Sequence, residues 1–169
     1  FEPGRGEARF QPDSRGGYFS PKSTGASLTD LGNNGGNNGW RLADASGHTK
    51  RFVDGRLVEW FNQQGAGVTA TWTNGELATL VHSSGRKFTL AYQQDRLASV
   101  TDDTGRQVTY AYDALGRLTT VVGVDGLTTS YLWGAEAGPL AAYAIIGVEV
   151  GDVLQLSIGY DERGRIKTT

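Results

Sequence analysis

Apolar and polar residues alternate with a period of two through most of the chain. Phe88, Leu90 and Tyr92 are spaced two apart, with Thr89 and Ala91 between them, and Val108, Tyr110 and Tyr112 enclose Thr109 and Ala111. Such alternation places one face of an extended strand against apolar neighbours. No stretch holds a helical period, although Ala135–Ala144 is compatible with one helical turn. A larger period overlies the alternation. Gly65, Gly85, Gly105 and Gly126 follow one another at intervals of 20, 20 and 21 residues, and seven residues after each stands Trp72, Tyr92, Tyr112 or Trp133. Leu57, Leu77, Leu97 and Leu118 keep the same beat, each followed three residues later by Trp60, Leu80, Val100 or Val121. A register kept by several marker types over four units identifies an internal repeat.

The turns explain the one irregular interval. Five residues separate Phe52 from Leu57, Trp72 from Leu77 and Tyr92 from Leu97, but six separate Tyr112 from Leu118. The short connections read Val-Asp-Gly55, Thr-Asn-Gly75 and Gln-Gln-Asp95; the long one reads Asp-Ala-Leu-Gly116. Asn-Gly and Asp-Gly suit two-residue hairpin turns, whose central residues both need φ > 0. A longer loop ending in Gly suits a hairpin closed with a bulge. Each unit is therefore a β-hairpin of 20–21 residues. The expected fold is all-β: tandem hairpins forming a curved, spiral sheet strip. One hairpin cannot bury its apolar face alone, so the units must stack and the face must be covered.

The ends depart from this pattern and divide the chain into four expected segments. Residues 1–46 form a Gly/Pro-rich lead-in or cap with the tract Gly32–Gly39, which reads as a flexible loop. Phe10, Tyr18, Phe19, Leu28, Leu31 and Trp40 are available there to cover one end of the strip. Residues 47–133 carry the hairpin repeats. Residues 134–159 form an irregular hairpin from the runs Leu140–Val150 and Val153–Tyr160, split by Gly151-Asp152. Residues 160–169 begin a further repeat. A start at Phe1 without Met, and a stop three residues past Ile166, lead to the expectation that the chain is a piece of a longer repeat protein.

Composition narrows the chemistry. The 169 residues include 25 Gly, no Cys and two His. Disulfides, thiol nucleophiles and Cys-based metal sites are excluded. The net charge is −2 with both signs scattered, so no basic stripe for nucleic acid is present. No apolar run approaches the roughly 18–20 residues of a membrane-spanning helix.

The segment Tyr112-Asp113-Ala-Leu-Gly116-Arg117-Leu118 resembles the YD repeat of the RHS family, whose core is Tyr-Asp-x-x-Gly-Arg-Leu. Tyr160-Asp161-Glu-Arg-Gly164-Arg165-Ile166 is a second match, with Ile for Leu. The units at Phe52, Trp72 and Tyr92 look like degenerate members that lack the Asp. The resemblance implies a secreted or cell-surface protein whose hairpins wind into a hollow shell. Such shells enclose a toxin domain in polymorphic and insecticidal toxins, or serve as surface and adhesion structures in wall-associated proteins and teneurins. On that reading the chain is wall and not payload. Its partners are further repeats, other copies of itself, an enclosed toxin domain or a surface glycan.

Each residue with chemical promise also has a structural role to weigh. Asp113 and Asp161 read first as acceptors of backbone N–H groups in their own turns. Arg117 and Arg165 read as cations lying across a neighbouring hairpin's carboxylate or aromatic ring. His82, in Val-His-Ser-Ser-Gly85, suggests a Ser-His pair, but turn neighbours rarely meet a triad's geometry and no Gly-x-Ser-x-Gly elbow is present. His48 reads as an exposed turn residue. Asp102-Asp103 lacks a calcium-loop pattern. Trp40, Trp60, Trp72 and Trp133 read as packing residues more than as sugar platforms. The expected assignment is a non-enzymatic scaffold without catalytic, cofactor or metal residues. Two alternatives remain: an extracellular adhesion or carbohydrate-binding module, and a self-assembling β-rich fibre subunit.

Overall fold

In the computed structural model, residues 10–14, 17–20, 25–34, 37–134, 143–161 and 163–167 are described. The chain divides into two units, Phe1–Phe88 and Thr89–Thr169. Every regular element of two or more described residues is a strand.

In the first unit, β1 (Gln11–Pro12), β2 (Gly17–Phe19), β3 (Ser27–Asn34) and β4 (Asn37–Ala43) lead into β5 (Thr49–Val53), β6 (Arg56–Phe61), β7 (Gly67–Thr73) and β8 (Glu76–His82). Each pairs antiparallel with its neighbour in sequence. The Gly/Asn tract differs from the expected flexible loop. Asn33 pairs with Asn38 and Asn34 with Asn37, so the β3–β4 hairpin runs to its tip through the tract. Its ladder uses backbone groups alone and needs no apolar alternation, which is why the side-chain pattern did not reveal it.

β9 (Lys87–Gln93) straddles the division. The second unit continues with β10 (Arg96–Asp102), β11 (Gln107–Tyr112), β12 (Leu118–Val122), β13 (Thr128–Trp133), β14 (Ile145–Val150) and β15 (Val153–Ser157), again in chain order. The short β16 (Gly159–Tyr160) and β17 (Ile166–Lys167) form a separate antiparallel pair. Most of the possible helical turn at Ala135–Ala144 lies outside the described residues.

Two turn types occur, as the sequence predicts. Asp54-Gly55 and Asn74-Gly75 both have two consecutive residues at positive φ, the signature of the type I′ hairpin turn. Gln94-Asp95 adopts the same conformation, at φ 51° and 58°, without a glycine. The YD segment takes the longer form, with a register shift between Ala111 and Tyr112.

Burial sets the character of the fold. Among the described residues only Gly39, Gly67, Gly134 and Gly147 are fully buried. No hydrophobic side chain among the described residues is buried. The aromatics and aliphatics of the strands are mostly half-covered. Among the described residues each unit is therefore a hairpin sheet stabilised by cross-strand pairs and contacts between successive hairpins, without a closed core.

Candidate functional site

The motif Asp-x-x-Gly-Arg builds a clamp inside its own turn. Asp113 Oδ1 accepts the backbone N–H groups of Leu115 (2.9 Å) and Arg117 (3.0 Å), and Oδ2 accepts Arg117 Nε at 2.7 Å. Backbone bonds close the loop: Asp113 N–H donates to the Arg117 carbonyl and Gly116 N–H to the Asp113 carbonyl. Asp161 repeats the arrangement with Arg163 and Arg165. Both aspartates thus take the turn-acceptor role expected of them. The carboxylates accept bonds from backbone N–H groups and from an arginine, which favours the charged form. The backbone bond from Arg117 or Arg165 contributes most in lowering the pKa of Asp113 and Asp161.

The clamp recurs where the sequence reading had not identified it. Asp102 Oδ1 accepts Thr104 N–H, Thr104 Oγ1 and Arg106 N–H, and its Oδ2 accepts Arg106 Nε at 2.7 Å. Its pKa is driven well below the usual carboxylate range, with the Thr104 hydroxyl contributing most. Asp44 accepts the N–H groups of Ser46 and His48, and the His48 ring stands where other turns carry Arg. Asn62 accepts from Gln64 and Ala66. The signal was in the sequence: Asp102-Asp-Thr-Gly105-Arg106 spells the motif of the Asp113 turn.

His82 occupies the acceptor position of another such turn. Its Nδ1 accepts Ser84 N–H at 3.1 Å and contacts Ser84 Oγ at 2.8 Å. The Ser-His pair therefore exists, but its imidazole nitrogen holds the turn, and no carboxylate is bonded to the ring. Asp102 spends both oxygens on its own turn. Among the described residues no group of three or more His, Cys, Asp or Glu is placed to hold a metal.

A second device joins one hairpin to the next. Trp72 Nε1 donates to the Leu57 carbonyl (2.9 Å), Tyr112 Oη to Leu97 (3.0 Å), Trp133 Nε1 to Leu118 (2.7 Å) and Tyr160 Oη to Ile145 (2.9 Å). Donor and acceptor lie 15 residues apart in all four. In the first three the Leu lies at the start of one strand and the aromatic at the end of its antiparallel neighbour, so the two ends meet; Tyr160 instead reaches Ile145 from β16. In three cases the residue before the leucine is an arginine lying over the same ring. Arg56 is 5.7 Å from the Trp72 centroid, Arg96 6.0 Å from Tyr112 and Arg117 5.5 Å from Trp133. The ring is held by a hydrogen bond at its far edge and a cation over its face. This explains why frame positions carry Tyr and Trp, whose rings bear a donor. The sequence favours packing over sugar stacking for the tryptophans; periodicity shows where an aromatic falls but not which carbonyl it meets.

The other tryptophans differ. Trp40 meets Tyr18 edge to face at 5.6 Å. Trp60 remains 40% exposed, with the His48 ring tilted over it at 6.1 Å. An open depression of about 340 Å³ on β5–β7 is lined by Arg51, Asp54, Arg56 and Trp72 among others. The Arg51–Glu59 ion pair, 2.7 Å long, spans the same strands. Of its polar groups, Arg51 is paired with Glu59, Asp54 accepts the Asn38 N–H and Arg56 lies over Trp72.

No curated protein matches the chain. Residues 93–129 match the family model for the RHS Repeat. The matched stretch contains the Asp102 and Asp113 clamps, which fix turns, and the Tyr112 latch, which ties one hairpin to the next. The match supports membership of the RHS/YD-repeat family over this stretch of the chain.

Proposed function

We propose that this repeat-type structural segment is wall material of a larger secreted or cell-surface protein, forming part of a shell that encloses or presents a toxin or adhesion domain. The observation that carries the reading is the absence of fully buried hydrophobic side chains among the described residues. A sheet of this kind gains stability by adding hairpins, as repeat proteins do. The polar side chains best placed for chemistry are spent inside turns. The clamps fix the turns and the latches hold hairpin to hairpin, as a wall requires. Among the described residues no helix is long and apolar enough to cross a membrane.

The test is electron microscopy of the intact natural protein, with fractionation of the producing cells. Hollow particles exported to the surface or medium support the reading. A compact solid particle retained in the cytoplasm overturns it.

A second reading, as a glycan-binding adhesion module, is favoured by the exposure of Trp60 beside His48. A glycan array distinguishes it: binding abolished by Trp60→Ala supports adhesion, and an array without signals removes it.

A further inference from the structure

We propose that the depression on β5–β7 is a binding site for a carboxylated sugar, a uronic acid residue of an acidic glycan. Its volume is about 340 Å³, and Arg51, Asp54, Arg56, Thr69, Thr71 and Trp72 stand in its lining. Trp60 does not line it. The site gives the chain a ligand whether or not the chain is wall material.

The hairpin frame does not require charge at this place. The residue before the frame aromatic is Arg51 in the first repeat, and Thr71, Ala91 and Ala111 in those that follow. Two positions after the frame leucine stands Glu59, and later Thr79, Ser99 and Thr120. Thr71 pairs with Thr79, and Ala111 with Thr120, at the ladder position where Arg51 pairs with Glu59. Neutral residues therefore close the same ladder. The exposed Arg41 lies directly opposite Arg51 on β4, and like charges so placed cost stability. Glu59 serves both: the Arg51 hydrogen bond contributes most in lowering its pKa, and Arg41 adds to it. Arg41, Arg51 and Arg56 outnumber Glu59 and Asp54, so the place is left positive.

The lining groups keep unused capacity. Arg51 gives Nη2 to Glu59 and has the rest of its fork of donors left. Arg56 is exposed and meets Trp72 through the ring face, which leaves its N–H groups available. Asp54 accepts the Asn38 N–H with Oδ1 and retains Oδ2. Thr69 and Thr71 are exposed on β7. A planar carboxylate matches the guanidinium fork. Sugar hydroxyls need both acceptors and donors, which Asp54 Oδ2 and the threonine hydroxyls supply. The C–H face of a sugar ring suits a lining that includes the Trp72 indole and aliphatic side chains. A bare inorganic anion would leave the hydroxyls and the indole idle. A neutral sugar would leave the arginines unmatched.

The experiment titrates methyl glucuronide into the isotopically labelled full chain and follows the Trp72 indole and arginine Nε–H signals by NMR. Saturable shifts at Trp72, Arg51 and Arg56 are expected. Methyl glucoside, which has the same ring without the carboxylate, is expected to bind about tenfold more weakly, having lost a charge-assisted hydrogen-bond pair. Acetate, the carboxylate without the ring, is expected to bind at least as weakly. The variant Arg51→Gln is expected to bind the glucuronide about tenfold more weakly. The ligand comparison uses the unchanged chain, so it stands even if Arg51→Gln loosens the β5–β6 ladder. Absence of saturable shifts overturns the proposal. So does equal binding of glucuronide and glucoside, which is a site without charge recognition, and so does equal binding of acetate, which is a general anion site. Binding kept in Arg51→Gln but lost in Trp60→Ala belongs to the exposed Trp60 and also overturns it.

Discussion

The Tyr112 hydroxyl donates to the Leu97 carbonyl at 3.0 Å, and Arg96, the residue before that leucine, lies over the same ring. Two neighbouring hairpins are thereby fixed by three consecutive points: a carbonyl, a ring and a cation. Replacing Tyr112 by Phe removes the hydrogen bond and keeps the ring. The expected cost is about 1 kcal/mol of unfolding free energy. Replacing Arg96 by Ala is expected to cost roughly 0.5–1 kcal/mol. Chemical denaturation of both variants and the double variant measures their coupling. Additive losses would show that ring and cation act separately and that the latch is not a unit.

Gly116 provides a sharper test, because its backbone and its surroundings can be separated. It lies at φ 78°, and a Cβ there would overlap the Arg96 guanidinium. Gly126 lies at φ 79° with open space around the same position. Gly126→Ala therefore reports the backbone cost alone, about 1–2 kcal/mol. Gly116→Ala is expected to cost more, since Arg96 must leave the Tyr112 ring. Adding Arg96→Ala should recover most of the excess. Equal losses at the two glycines would mean that Arg96 moves aside freely.

Gln94 and Asp95 both occupy the left-handed region in a turn where the equivalent pairs end in Gly55 and Gly75. Asp95→Gly removes the strain at the second position. It is expected to raise stability by about 1 kcal/mol, seen as an increased denaturation midpoint with an unchanged slope. A neutral or negative change would show that Asp95 makes a compensating contribution in the turn.

How far the sequence disclosed this structure depended on the range of each interaction. Asp113, Asp161 and the Asn-Gly and Asp-Gly turns are local devices whose partners lie within four residues, so motif and spacing sufficed. The Gly32–Gly39 tract was misjudged because its ladder uses backbone groups that any residue supplies. The latches were visible only as periodic aromatics. Their acceptors are carbonyls 15 residues upstream, where the side-chain pattern is silent. The roles of Arg56 and Arg96 are not legible from the motif because Val53 and Gln93 stand where the motif has Asp after the aromatic, although each arginine contacts the next hairpin's ring. The Asp102 clamp was legible but hidden by its position, in the turn linking one hairpin to the next.

The clamps make stability depend on acid in a defined direction. Asp102, Asp113 and Asp161 all have folded-state pKa values below those of the unfolded chain, the Thr104 hydroxyl leading for Asp102 and backbone N–H bonds leading for the other two. A depressed carboxylate pKa means that the unfolded state takes up protons first as pH falls. The contribution of these residues is therefore fully present above the unfolded value, near pH 4, and is lost progressively below it. Unfolding midpoints are expected to change little through these carboxylates between about pH 7 and pH 5, and to fall below pH 4. Asp113→Asn keeps an acceptor for the backbone but loses the charge that holds Arg117. It should lower stability at pH 7 and flatten the acid slope. Because Arg117 also covers Trp133, the same substitution should weaken the next latch, read as a change in Trp fluorescence on comparing Asp113→Asn with Asp161→Asn. An acid slope unchanged by Asp113→Asn would show that the clamp contributes nothing to the pH dependence, and that the turn is held by its backbone bonds alone.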